Sequence, residues 1–201
     1  IFYPGWGDPI DHPDYLAYLK ERGLPPFRVR DEIRGIFPNG EPSIAVGGIY
    51  DGPVEGTWSY FLAERSIERL REYGRRHGDT GRPFFLSCHF FGPHLPYFLP
   101  AECADMYDPA GVALPENARE TFANKPRVQE SYCRHWAWDT YTEAQQRKLI
   151  AMYWGYVTLI DEQIGRVLAE MEALGLAGET AVFFSADHGE FTGSHRLNDK
   201  G

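Results

Sequence analysis

Asp187 and His188 stand side by side, directly after the apolar run "TAVFF". Aspartate offers a hard carboxylate oxygen to a divalent cation, and the imidazole offers a nitrogen or a hydrogen bond beside it. Gly189 lets the backbone turn so that both side chains reach one point. Alone, the pair reads equally as Asp187 capping a turn with His188 exposed. His94 lies between two prolines in "GPHLPY", a stiff loop that holds an imidazole with little entropy to lose. It could equally be a satisfied structural histidine. Lys200 is a point-charge donor suited to an anionic oxygen, and by itself an ordinary surface lysine. The same holds for His195 in "TGSHRL". Taken together, a divalent metal, an imidazole and an ammonium suit a tetrahedral oxyanion, because all three stabilise negative charge on its oxygens. The set lacks a nucleophile. No Ser or Cys sits at a strand-end elbow beside a base, and Cys88 lies in an apolar run where a thiolate is disfavoured.

These groups must be carried by regular elements. "HPDYLAYLKERG" predicts a short helix with Pro13 in its first turn and Gly23 as C-terminal cap. "TWSYFLAERSIERLREYGRR" predicts a second, with Tyr60, Ala63, Ile67 and Leu70 on one stripe and the arginines solvated. Residues 28–48 read as loops with a short strand or two. From Thr142, a capping box with Gln145 opens a long run of apolar residues at helical spacing, Leu149 to Leu174, ended by Gly175. "RPFFLSCHF" and "ETAVFFSA" read as strands buried on both faces. The prolines of "FGPHLPYFLP" forbid further ladder pairing after the first. About forty aromatic and Pro-rich residues follow, expected to wrap over the body as an ordered loop. Strand, loop, long helix, strand is a βαβ order, which predicts a parallel sheet with ligands beyond the carboxyl ends of its strands. "GPHLPY" and "ADHGE" both fall at that edge.

The chain has 201 residues and a formal net charge of −9, which argues against nucleic-acid binding as the main activity. The three cysteines, Cys88, Cys103 and Cys133, form no zinc or redox spacing and read as ordinary thiols. No apolar run is long enough for a membrane span. The chain opens on Ile1 with "IFYPGWGDPIDHP", which reads like the middle of a longer protein.

Four stretches, in order, resemble the sulfatase family of the alkaline-phosphatase superfamily. "GTWSYFLAERSIERLRE…RPFFLSCHFFGPHLPY" is similar to the family's helix, strand and PH-x-P loop, and "VALPEN…KP" to its connecting loop. "YWGYVTLIDEQIGRVLAEMEALGLAGETAVFFSADHGE" is similar to its long helix and metal-binding strand end, and "GSHRLNDKG" to its G-x-H-x-L-x-x-K-G segment. The resemblance covers 57–201, with 1–56 less certain, as an internal portion of a single domain. It implies an α/β, alkaline-phosphatase/sulfatase-like sandwich, here partial, with a mostly parallel sheet flanked by helices.

The resemblance also implies a reaction, hydrolysis of sulfate monoesters by a formylglycine nucleophile with a divalent cation. Asp187 falls on the metal-ligand Asp, and His188 where the family has Asn or His beside it. His94 falls on the histidine near the sulfate and the leaving oxygen, and Lys200 on the sulfate-contacting lysine. His195 fits the K-G segment as a substrate-side residue. Ca2+ is the first expectation for the metal, with Mn2+ or Mg2+ as alternatives. The Cys/Ser-x-Pro/Ala-x-Arg motif that yields formylglycine, the paired acidic ligands and the G-K-W-H stretch are absent and belong upstream of Ile1. The chain is therefore expected to be an internal fragment of a larger hydrolase, inactive when isolated, prone to self-association through exposed sheet edges, and with a small sulfate ester as the parent's substrate. The alternatives are a phosphonate monoester or phosphodiester hydrolase of the same superfamily, toward which His188 tilts, and a non-catalytic domain binding an anion or a partner.

Overall fold

The computed structural model describes residues 11–200. The opening stretch 1–10 and Gly201 lie outside the described residues. The chain divides into two compact units. One takes Ile1–Arg28, Gly52–Gly92 and Leu159–Phe184, and the other Val29–Asp51, Pro93–Thr158 and Ser185–Gly201.

In the first unit, helix α1 (Pro13–Glu21) starts where Pro13 fixes the first turn and the His12 ring accepts the Asp14 N–H. Gly23, at a left-handed φ of 64°, closes it. Helix α2 (Trp58–Thr80) is capped by the Thr57 hydroxyl on the Tyr60 N–H and ended by left-handed Gly81. It runs past the quoted pattern to Thr80, because nothing before Gly81 breaks it. Tyr15, Tyr18 and Leu19 of α1 interlock with Trp58, Phe61 and Leu62 of α2 as one buried aromatic cluster. The expected stripe is buried at Ala63, Ile67 and Leu70. Arg71 stays on the solvated helix surface and forms a two-pronged pair with Glu170 at 2.8 Å on each prong.

The second unit holds a three-stranded mixed sheet in the order β1 (Val29–Ile36), β2 (Pro42–Tyr50), β3 (Tyr97–Leu99). β1 and β2 form an irregular antiparallel hairpin, and β3 adds parallel to β2. Residues 28–48 are thus more regular than their mixed composition suggests. The prolines of "FGPHLPYFLP" do not end ladder pairing either: Tyr97–Leu99 lie between Pro96 and Pro100 and keep their own N–H groups. Gly47 of β2 lets the sheet approach Leu149, since a Cβ there would meet its Cδ2 at 2.8 Å.

The forty-residue insert is ordered, with short helices α3 (Ala101–Ala104) and α4 (Arg127–His135) inside it. Helix α5 (Glu143–Ala173) opens with the expected capping box: the Thr142 N–H donates to Gln145 Oε1 at 2.9 Å, and the Gln145 N–H to Thr142 Oγ1 at 3.2 Å. Gly175 at φ 71° ends it.

The two stretches expected as buried strands differ from expectation. Residues 82–90 and 180–186 form no regular secondary structure and join no ladder among the described residues, and Phe85, Phe183 and Phe184 are 86%, 93% and 83% exposed. A strand's hydrogen bonds run sideways to a neighbour, so an apolar sequence cannot make one without that neighbour. The α/β class holds; the sheet among the described residues is small and mixed rather than mostly parallel.

Candidate active site

The structure brings the loops of His94 and His188 together within the second unit. Their rings meet edge to face with centroids 6.1 Å apart. His94 sits in the turn just before β3, and its Nδ1 lies 2.6 Å from the Leu95 carbonyl. A carbonyl only accepts, so Nδ1 carries the proton and Nε2 the lone pair in the neutral ring. Nε2 in turn accepts from the Lys200 ammonium.

Asp187 is 88% exposed and His188 37%. Asp187 Oδ1 accepts the His188 backbone N–H at 3.0 Å, and His188 Nδ1 donates to the Gly189 carbonyl at 2.8 Å. That leaves His188 Nε2 as a lone pair facing Asp187 Oδ2 at 3.5 Å. Two electron-pair donors aimed at each other repel until a proton or cation lies between them, so the donor set fits part of a cation site. Among the described residues, no group of three or more His, Cys, Asp or Glu converges as a metal site.

His195 is not brought to His94. Its Nδ1 pairs with Glu120 Oε1 at 2.8 Å, and Glu120 also pairs with Lys125. Lys125 and, more weakly, His195 hold the Glu120 carboxyl below its ordinary value. His195 therefore ties the 191–199 loop to the insert.

That loop is closed on itself. The Phe191 N–H donates to the Asp199 carbonyl at 3.0 Å, and the Gly193 N–H to the Leu197 carbonyl at 2.8 Å. Thr192, His195, Arg196 and Asp199 all hold positive φ, each a conformation that costs a non-glycine residue about 1–3 kcal/mol. Surrounding bonds over-determine it. Glu190 Oε1 accepts the N–H groups of Thr192 at 3.2 Å and Asp199 at 2.5 Å. Burial pushes the Glu190 carboxyl up, partly offset by those two bonds. Arg196 grips Asp139 through two bonds of 2.7 and 2.8 Å and covers the Phe122 ring. The Tyr132 hydroxyl of α4 donates to Asp199 Oδ2 at 2.6 Å.

Sequence reasoning named His94, Asp187, His188 and Lys200, of which the structure brings His94 together with Lys200 and His188, and it did not single out their surroundings Glu120, Tyr132, Asp139, Glu190 and Asp199. The acids flanking the two quoted motifs were visible as neighbours. Tyr132 and Glu120 were not, because they lie 67 and 75 residues from their partners. A surface cavity of about 490 Å³ lined by Phe122, Ala123, Glu130, Arg134, Asp139 and Arg196 adjoins the loop. It includes none of the predicted site residues, and its arginines are already paired with its acids.

The chain is 29% identical over 204 residues to a multifunctional alkaline phosphatase superfamily protein, PehA, of Trinickia caryophylli, covering 92% of this chain and 38% of that protein. It is 33% identical over 160 residues to an arylsulfatase of Clostridium perfringens, covering 74% of this chain and 31% of that one. It thus spans about a third of the length of these relatives. Among solved structures, a phosphonate monoester hydrolase from Silicibacter pomeroyi superposes with a TM-score of 0.70 at 23% identity, covering 92% of this chain and 38% of that one; this shows a shared fold. The sulfatase family model matches residues 5–201, a wider span than the motifs alone suggested, and the chain belongs to the sulfatase family.

Proposed function

We propose that this chain is an internal part of a sulfuric ester hydrolase, residues 1–201 being a portion of one α/β domain with 57–201 as its core. The observation that carries this reading is the convergence of His94 and Lys200 with His188 across the turn, in a chain of this family. Lys200 holds ammonium N–H groups ready for the oxygens of a tetrahedral anion. His94, oriented by Leu95, presents Nε2 as the atom that carries a proton to the leaving oxygen. Asp187 and His188 are the residues that would hold a divalent cation, Ca2+ first and Mn2+ or Mg2+ otherwise. When bound, the cation supplies Lewis-acid charge to the sulfate oxygens, and an upstream formylglycine supplies the nucleophile. His195 acts from the substrate side by fixing the loop rather than by touching His94. No helix among the described residues is long and apolar enough to cross a membrane.

A second reading is a phosphonate monoester or phosphodiester hydrolase. The T. caryophylli relative, multifunctional by name and matched over 92% of this chain, favours it, as does an imidazole rather than an amide at position 188.

The test begins with mass spectrometry of the natural protein, intact and as peptides upstream of Ile1. A formylglycine peptide from a Cys/Ser-x-Pro/Ala-x-Arg motif is expected. A natural chain that begins near Ile1 would overturn the hydrolase reading in favour of a non-catalytic anion- or partner-binding domain. Rates of the natural protein on matched aryl sulfate and aryl phosphonate esters then separate the two enzyme readings, with sulfate expected to be faster. The 201-residue chain alone is expected to be inactive, to bind metal weakly, and to self-associate through Phe85, Phe183 and Phe184. Light scattering showing a strict monomer at high concentration would refute the last.

A further inference from the structure

Asp199 is the one carboxylate that the fold buries outright among the described residues, with a side chain only 6% exposed. Oδ2 accepts from Tyr132. Oδ1 is buried with no hydrogen bond, and it lies 3.5 Å from His94 Nε2 and 4.0 Å from Lys200 Nζ. We propose that Asp199 is a positioning residue for the His94–Lys200 pair and that Tyr132, from the insert, holds it in place, a role that rests on the hydrolase reading above.

The backbone of Asp199 is already fixed by Glu190 and Phe191, so its side chain is not needed to close the loop. Asparagine takes a left-handed φ as readily and would accept the same Tyr132 hydrogen bond without burying a charge. A buried carboxylate oxygen with no hydrogen bond is costly unless a cation faces it. The titratable groups around this carboxylate are Tyr97, Tyr132, Glu190, His94 and Lys200. Of these, Lys200 is the cation, and it donates to His94. Attraction to Oδ1 holds the ammonium over Nε2 and stops a side chain that is 35% exposed from swinging into solvent. The Tyr132 bond fixes the carboxylate from behind. Helix α4 of the insert thereby helps to set the geometry of the His94–Lys200 pair.

The test uses the natural full-length protein with an aryl sulfate and the matched aryl phosphonate ester. In Asp199→Asn, kcat on the better ester is expected to fall about tenfold to a hundredfold, with KM within about threefold and the melting temperature at or above wild type. Tyr132→Phe, which frees Oδ2, is expected to fall less, about threefold to tenfold. An unchanged kcat in Asp199→Asn overturns the proposal. So does a loss of kcat matched by a loss of melting temperature, since that marks a structural carboxylate. If wild type hydrolyses neither ester, the hydrolase reading fails, and the geometry is then read by NMR. The His94 ring-nitrogen signals, assigned with His94→Gln, move in Asp199→Asn if the carboxylate places the pair; signals unmoved from wild type overturn it.

Discussion

The α1–α2 core of the first unit and the 187–200 loop of the second are built on opposite terms. In the core, Tyr15, Tyr18, Trp58 and Phe61 pack ring against ring with centroids 5.1–5.5 Å apart, and both tyrosine hydroxyls donate to backbone carbonyls of residues 55 and 56. Burial pushes the Tyr18 phenol up to about 12. Both hydroxyls are thus satisfied, and the helices are capped and unstrained. The loop instead keeps four non-glycine residues at positive φ, a buried carboxylate oxygen without a hydrogen bond, and an aspartate almost fully in solvent. Stability is concentrated where buried aromatic side chains pack on one another. Backbone strain is concentrated in the loop that carries Lys200, where four of the non-glycine residues at positive φ lie.

The largest expected effect is chemical. In the natural full-length protein, His94→Ala or Lys200→Ala should lower kcat about 10²–10⁴-fold while the melting temperature stays within about 2 °C. A fall in melting temperature without a fall in rate would erase the contrast between the two regions. Chelation of divalent cations should also lower the rate steeply, with recovery on adding Ca2+, Mn2+ or Mg2+; full rate in chelator would remove Asp187 and His188 from the chemistry.

The core should respond in the reverse sense. Phe61→Ala, at a site with no exposure, should destabilise by about 3–5 kcal/mol in chemical denaturation. A loss under about 1 kcal/mol would mean that the cluster is not where stability resides. Thr57→Ala removes the α2 cap and should cost about 1 kcal/mol by the same measurement.

The smallest effect sharpens the comparison through pH. Burial holds the Glu190 carboxyl above its ordinary value, so the folded state binds that proton more tightly than the unfolded chain. Its contribution to stability is therefore full at low pH and declines as pH rises through the raised value. In Glu190→Gln, one side-chain oxygen can still accept both backbone N–H groups. The variant should match wild type near about pH 4 and gain on it toward about pH 8. A gain that shrinks as pH rises would show the charge to be favourable where it sits.

Helices α1, α2 and α5 were legible to within a few residues because their determinants are local: Pro13, Thr57, the Thr142–Gln145 box, Gly81 and Gly175 act on the turn they sit in. The candidate site residues Asp187, His188, His94 and Lys200 were proposed from type and from their Gly and Pro neighbours. Only the tertiary structure decided which of them meet. It joined His94 to Lys200 across 106 residues, sent His195 to Glu120 instead, and placed Asp199 on Tyr132. It also decided the strands: Tyr97–Leu99 became one because β2 lay beside it, whereas the more apolar 180–186 stayed unpaired among the described residues. Caps and turns act within one turn of chain, while ladders, buried ion pairs and sites exist only when distant segments supply the other half.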